Sequence, residues 1–438
     1  MKAIVIGGGL AGSEAALQLA KQNIEVDLYE MRPNKTTGAH KTEKFAEFVC
    51  SNSLGSIDPT NASGQLKAEM SILESYLLKE IINNQVPAGG AIAVDREGFS
   101  EKITSLIENN PKIKVIRKEI TEIPTNTPTI IASGPLTSPE LSEKIREFTG
   151  EQHLYFFDAI APIIEKESIN FDKAFYQNRY EKGDDDYINC PMNKEEYENF
   201  YNILSTSEKI ELKEFEKEAK FFESCLPIEV IASRGIDTLR FGPLKPIGLI
   251  DKRTNEKSHA VVQLRQDDKA ATLYNLVGFQ TNLKWGSQKE LIHSIPGLEN
   301  ANIVKYGVMH RNTFINSPKT IYQTLQSRKN PNIFFAGQIT GTEGYTESIA
   351  SGLLAGINMA KFIMGEPLLT LPSETMLGAL TSYISFEGHK SFQPINSNWG
   401  IIKEMPMDRK IKKNKKLKNE LLSKRASETL TTFLNSKN

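Results

Sequence analysis

An α/β fold interrupted by an inserted α+β domain is predicted by three observations on this 438-residue chain. A buried-strand pattern runs straight into a glycine-rich turn and a helix at the N-terminus. A second buried strand ending in glycine, followed by a long helix of small residues, returns near residue 335. Between about residues 146 and 319 the pattern changes to aromatic-rich strands and a charged helical stretch. The expected boundaries are 1–145 and 320–438 for one discontinuous domain and 146–319 for the insert. The length allows a large core and two domains.

The opening strand, Ala3 to Ile6, leads into Gly7, Gly8, Gly9, Leu10, Ala11 and Gly12. In a dinucleotide-binding βαβ unit the first glycine permits the tight turn, the second lets the backbone approach a pyrophosphate, and the third allows close packing. The helix N-terminus favours the anion. A helix (Glu14 to Lys21) and a second strand (Ile24 to Tyr29) follow, closed by Glu30, eighteen residues after Gly12, with Arg32 beyond it. A carboxylate at that spacing reaches the ribose hydroxyls of an adenosine.

The stretch from Arg32 to Ser63 is turn-rich and holds Cys50; long irregular segments in compact domains are usually functional. One helical pattern is predicted from Gly64 to Asn83, then a short segment at Ala91–Val94 and a helix entry at Asp95–Phe99. Thr129 to Pro135 reads as a buried strand that delivers backbone to a cofactor. In the insert, strands are expected over Tyr155–Ile164, Ala260–Leu264 and Ala271–Gly278, and a helical stretch over Asn193–Phe222. Asn332 to Gln338 restores a buried strand, with Gly337 and Gln338 at its end. Gly341 to Ser348, including Gly344 and Tyr345, opens a long helix whose first-turn N–H groups suit a second polar part of the cofactor. This return resembles glutathione-reductase-type flavoproteins and favours FAD over an exchanging nicotinamide.

The net charge of −1 and 39% hydrophobic content exclude a disordered or strongly basic chain. The sequence has neither an apolar run of membrane-spanning length nor signal-peptide architecture, so a cytoplasmic protein is expected. Cys50, Cys190 and Cys225 form no redox pair or disulfide framework, and no histidine or cysteine shows metal-ligand spacing, so no metal is expected. Arg409, Lys410, Lys412, Lys413, Lys415, Lys416 and Lys418 crowd into ten residues. Such a run is a solvated helix face or a polyanion site.

Several segments together resemble the folate- and FAD-dependent tRNA (uracil-5-)-methyltransferases, the TrmFO family. They are VIGGGLAGSEAA at 5–16, FAEFVCSNSL at 45–54, ASGPLTSPEL at 132–141, GFQTNLKWGSQKE at 278–290, YGVMHRNTFINSP at 306–318 and FFAGQITGTEGYTESIASGLLAGINMA at 334–360. The longer GidA flavoproteins, which modify the tRNA wobble position, share the last segment. The resemblance implies that NADPH or NADH reduces FAD and that a methylene group from 5,10-methylenetetrahydrofolate passes through the flavin to carbon-5 of a uridine. It maps the family's two cysteines onto Cys50 and Cys225, with Cys225 as the carbon-6 nucleophile and Cys50 as its acid/base partner. It says nothing of Cys190, which is read as structural.

From the residues alone, Cys50 among Ser51, Asn52 and Ser53 suits an accessible thiolate, while a buried inert cysteine is the commoner case for any of the three. His310 and Arg311 are nominated as folate or substrate contacts. Trp285 is nominated as a stacking surface for a pterin or base, or as packing under the flavin. A lone histidine such as His389 is more often structural. The RNA is tRNA or ribosomal RNA. A FAD oxidoreductase acting on a small metabolite, needing neither Cys50 nor Cys225, and a flavin-bound RNA-binding protein without turnover are the alternatives from other classes.

Overall fold

The Lys2–Ile6 strand alternates toward burial and pairs in parallel with Glu25–Tyr29 on one side and Thr129–Ile131 on the other. The computed structural model describes residues 1–151, 154–159, 161–181, 185–210, 226–251, 254 and 257–437, with the backbone alone at 156–159, 181, 310 and 311. Ile333–Phe335 and Ile113–Ile116 complete a five-stranded sheet, all parallel, with 333–335 at one edge and 113–116 at the other. Parallel pairing needs crossover helices. Leu10–Lys21 is the first of these, and every residue from Leu10 to Ala20 is buried. It is covered by the returning helix Tyr345–Met364, whose small residues have a direct reason. A Cβ at Gly352 would lie 2.3 Å from the Ala11 carbonyl oxygen, so the two helices meet backbone to backbone.

The insert carries a six-stranded antiparallel sheet in the order 175–176, 187–192, 260–266, 273–276, 163–165, 303–305. It has its own core, built on Ile188, Phe200, Leu264 and Leu276, separate from the core around Val5, Leu19, Ile130 and Phe334. A two-stranded ribbon, Leu154–Ala159 with Met309–Phe314, leads into and out of it.

Three sequence expectations are corrected. The helix expected over 64–83 is two helices, Ala62–Ile72 and Tyr76–Asn83. The break comes at Glu74, with φ of 59°. Beyond it, Ser75 accepts from the Leu78 N–H, and buried Glu14 accepts from Ser75 Oγ, Tyr76 N–H and Leu77 N–H. A cap supplied by a residue about sixty positions away leaves no local signal. The turn-rich 32–63 stretch contains a strand, Ser53–Ser56, which pairs with Ala91–Val94. Its sequence, SLGS, has little β-propensity of its own. The helix expected to run from Asn193 to Phe222 ends at Thr206, where Ser207 turns extended. The part expected beyond residue 210 lies outside the described residues.

A candidate dinucleotide cleft and its neighbouring thiol

Gly7 turns with φ of 101°, which a side chain disfavours, and a Cβ at Gly12 would lie 1.8 Å from the Gly7 carbonyl oxygen. Gly9 differs: a Cβ there would meet nothing within 4 Å, because it would project into an open cleft. That cleft lies at the carboxyl ends of the parallel strands. Its walls bring together Gly7, Gly9, Leu10, Ala11, Glu30, Arg32, Gly337, Gln338 and Tyr345, with Gly8, Gly12 and Gly344 shaping the turns behind them.

The Glu30 carboxylate accepts from the Gly8 N–H at 2.9 Å and from Arg32 through its backbone N–H, Nε and Nη2. Burial works to raise its pKa, but the Arg32 hydrogen bonds and charge, with the Gly8 N–H, hold it below the ordinary carboxylate value. Arg32 is itself buried and also pairs with Glu47 at 3.1 Å. The acid at this end of the cleft is therefore kept ionised and oriented. Sequence reading overlooked Thr37, His40 and Lys118, which also line this end. On the opposite wall Gln338 donates to Glu343 at 2.6 Å, and Gly337 donates to Ser351. The residues fit an adenine dinucleotide: an open cradle at Gly9, the first-turn N–H groups of two helices, and an acid at the far end.

Cys50 stands beside the cleft and is half-buried. Its N–H donates to the Tyr345 hydroxyl at 2.7 Å, and the Tyr345 ring packs edge-on against Phe48. Arg96 donates to the Phe48 and Cys50 carbonyls at 3.3 and 3.1 Å and to Asp267 of the insert at 2.8 Å. Fully buried Asn52 donates to the Val94 and Gln266 carbonyls and accepts from Arg265 and Asn275. Lys305, also from the insert, donates to the Val49 carbonyl at 3.3 Å. Burial above all, with the charge of Arg96 added, lowers the Lys305 pKa to about 8; Asp267 and Cys50 act in the opposite sense. The loop is thus clamped from both domains. Asn52, Arg96, Asp267 and Lys305 went unnoticed in the sequence, where only the adjacency of Asn52 to Cys50 offered a signal.

Cys190 is wholly buried, and burial pushes its thiol pKa up. Cys225 and the side chains of His310 and Arg311 lie outside the described residues; the backbone at 310 and 311 pairs with Asp158 and Phe157. Trp285 is 62% exposed and stacks on Tyr306 at 5.4 Å. It opens the Trp285–His293 helix of the insert and is not among the residues that line the cleft. His389 is structural, its Nε2 against the Tyr383 carbonyl and its ring among Tyr383, Phe386 and Phe392.

The glucose inhibited division protein A family model matches residues 2–367. A methylenetetrahydrofolate–tRNA-(uracil-5-)-methyltransferase TrmFO from Anoxybacillus flavithermus is 58% identical over 434 residues, 99% of each chain, and the Bacillus velezensis protein of that name is 57% identical over 98% of each. The chain belongs to the TrmFO family. Among solved structures, Aquifex aeolicus GidA in two crystal forms aligns with TM-scores of 0.69 and 0.67, covering 98% of this chain and 73% and 78% of those chains, at 17% and 18% identity. This TrmFO-family chain therefore has the FAD-binding, Rossmann-type α/β fold with an inserted α+β domain. Among its described residues no helix is long and apolar enough to cross a membrane.

Proposed function

We propose that this chain forms 5-methyluridine in tRNA, with FAD in the Gly9 cleft, methylenetetrahydrofolate as one-carbon donor and NADPH or NADH as reductant. The names of the full-length relatives support the reaction, and the RNA substrate supports a cytoplasmic location. The observation that carries the site is the 2.7 Å bond from the Cys50 N–H to the Tyr345 hydroxyl, which fixes a thiol at the edge of the cleft where the returning helix begins.

Uracil carbon-5 is a poor nucleophile. Addition of the Cys225 thiolate to carbon-6 forms a C–S bond and moves the ring π pair onto carbon-5 as an enolate. Carbon-5 then bonds the methylene unit and gives its proton to Cys50; the unit's bond to the nitrogen that carried it breaks with the pair left on nitrogen, and a hydride equivalent completes the methyl as the carbon-6 thiolate leaves. Bound FAD supplies the two-electron transfer between nicotinamide and the one-carbon unit. The Leu10 and Ala11 N–H groups would hold its pyrophosphate, Glu30 its ribose, and the Tyr345 helix terminus its flavin end. Exposed Trp285 and the basic run at 409–418 are the surfaces offered to RNA.

The test pairs methylation with trapping. RNA carrying 5-fluorouridine should trap the adduct, because fluorine cannot leave as a cation where the proton would. Cys225→Ala should abolish the trapped complex, Cys50→Ala should abolish turnover on tRNA, and Cys190→Ala should change little. Trapping that survives Cys225→Ala and vanishes in Cys50→Ala reverses the two roles. Methylation of ribosomal RNA transcripts in place of tRNA overturns the substrate, and full activity of the double cysteine variant removes thiol chemistry.

A further inference from the structure

The chain has two tryptophans, and Trp285 is the one left 62% exposed. Its ring is nonetheless held in place. One face lies on Tyr306, with ring centroids 5.4 Å apart and planes 14° from parallel. Tyr306 is fixed through both of its chain neighbours. Gly307 exchanges two hydrogen bonds with the buried Gln288 side chain, at 2.8 and 2.9 Å, and Lys305 donates to the Val49 carbonyl of the Cys50 loop at 3.3 Å. Gln288 lies on the same helix as Trp285, so the bonds that seat Tyr306 also set the stack. Beside the ring, a Cβ at Gly286 would meet nothing within 4 Å. Gly286 is not among the glycines of positive φ, and helix propensity disfavours it, so what glycine supplies there is open space. Lys289 stands one turn further on the same face, where its side chain leans back toward Trp285. It is exposed and has no carboxylate partner among the described residues, whereas Lys284 is paired with Glu208.

Resting on the reading of RNA as the substrate, we propose that the Trp285–Tyr306 stack is a platform for one unpaired nucleobase near the target uridine, with Lys289 meeting its phosphate. An open aromatic face beside an unpaired cation is the combination that holds single-stranded nucleic acid, because every base has a π-face and its phosphate travels with it. Bases inside a duplex are stacked on one another and offer a ring only their edges. The platform therefore selects RNA whose loop is splayed open. Its second ring, Tyr306, is seated before RNA arrives, so little ordering cost falls on binding. A folate pterin also has a stacking face, but Trp285 is not among the residues lining the dinucleotide cleft. The tie from Lys305 to Val49 places the platform one residue along the chain from a contact with the Cys50 loop. A strand that lays a base on Trp285 is thereby steered past that loop.

The test is tryptophan fluorescence of the full-length, flavin-bearing Trp399→Phe protein, in which Trp285 is the sole tryptophan. It is titrated with an RNA stem-loop carrying unpaired uridines and with the same stem as a blunt duplex. The stem-loop should quench the emission to saturation, and the duplex should not. In the otherwise parental chain, Trp285→Ala should weaken stem-loop binding about tenfold, the weight of one base on one ring. Its flavin content, its rate of flavin reduction by NADPH and its salt slope should stay parental, since the ring carries no charge. Lys289→Ala should instead make the logarithmic salt dependence shallower by about 0.7. Gly286→Val, which fills the open side of the ring, should weaken binding as well, and Trp285→Phe should keep most of it. Parental stem-loop affinity in Trp285→Ala overturns the platform, and does so while the parent still methylates tRNA. Quenching by methylenetetrahydrofolate without RNA gives the ring to a pterin and overturns it too. A parent that binds no RNA overturns the reading on which the proposal rests. Quenching and a tenfold loss in a protein that methylates no RNA support the platform and leave only the chemistry to be replaced.

Discussion

The three glycines of the opening turn do different physical work, and substitution separates them. Gly9 has φ of −74°, open to any residue, and its missing side chain faces empty cleft. Gly9→Val should therefore fold with near-parental thermal stability and lose flavin, since the new methyls occupy the space the pyrophosphate needs. Gly12→Ala sets a Cβ 1.8 Å from the Gly7 carbonyl, so the turn itself must move, at a cost of about 1–3 kcal/mol. Flavin absorbance of the purified variants, beside their unfolding midpoints, checks both: Gly9→Val retaining flavin would take the cofactor out of this cleft. Gly7, Gly12 and Gly337 were legible because a positive φ or a close backbone approach admits little else there, Gly9 because its cleft must stay open, and Glu30 because of its spacing from the turn. The groups clamping Cys50 were not, because Arg96, Asp267 and Lys305 are ordinary surface residue types until the fold brings three distant segments together.

At the level of elements, strands and crossover helices of the parallel sheet follow from hydrophobic pattern, while their ends are set by buried carboxylates that no local pattern announces. Glu14 caps the Tyr76–Asn83 helix, and Glu69 does the same for Met376–Ser385, accepting from the N–H groups of Met376 and Leu377 at 2.7 and 2.8 Å. Thr375 satisfies the third N–H, that of Gly378. Because Glu69 is fully buried, desolvation raises its pKa from 4.5 to about 7 against those hydrogen bonds. A carboxylate whose folded pKa lies above its unfolded value lends stability that is complete below the unfolded value and is lost as pH rises through the folded one. The parent should therefore lose up to about 3 kcal/mol between roughly pH 4.5 and 7 relative to Glu69→Gln, which has no such proton to release. Urea unfolding of both proteins across that range measures the difference, and parallel curves would show that Glu69 does not titrate there.

For the whole molecule, the basic run has a place and an anchor. Arg409–Lys413 forms a short helix, and Lys415–Asn435 a long one that packs on the first domain through Leu422, Ala426 and Leu430, with Ser423 bonded to Gln65 at 2.7 Å. Lys415 and Lys416 occupy the first turn of the long helix, where the macrodipole disfavours cations by about 0.3–1 kcal/mol each. Acidic partners are sparse there, with Glu404 reaching Lys412 at 3.4 Å and Glu420 at the outer limit of an ion pair with Lys416. A merely solvated face would gain stability by placing acids at this turn, and the RNA contact proposed for the run accounts for cations held against the dipole. Replacing Lys412, Lys413, Lys415 and Lys416 with alanine should leave flavin content unchanged and raise the unfolding midpoint slightly. It should also weaken tRNA binding and make its logarithmic salt dependence shallower by about 0.9 for each phosphate that is no longer neutralised. Filter binding over a range of salt concentrations, set beside thermal unfolding, measures both effects. A variant with parental affinity and parental salt slope would return this run to a solvated helix face and leave the RNA to be held by the insert around Trp285.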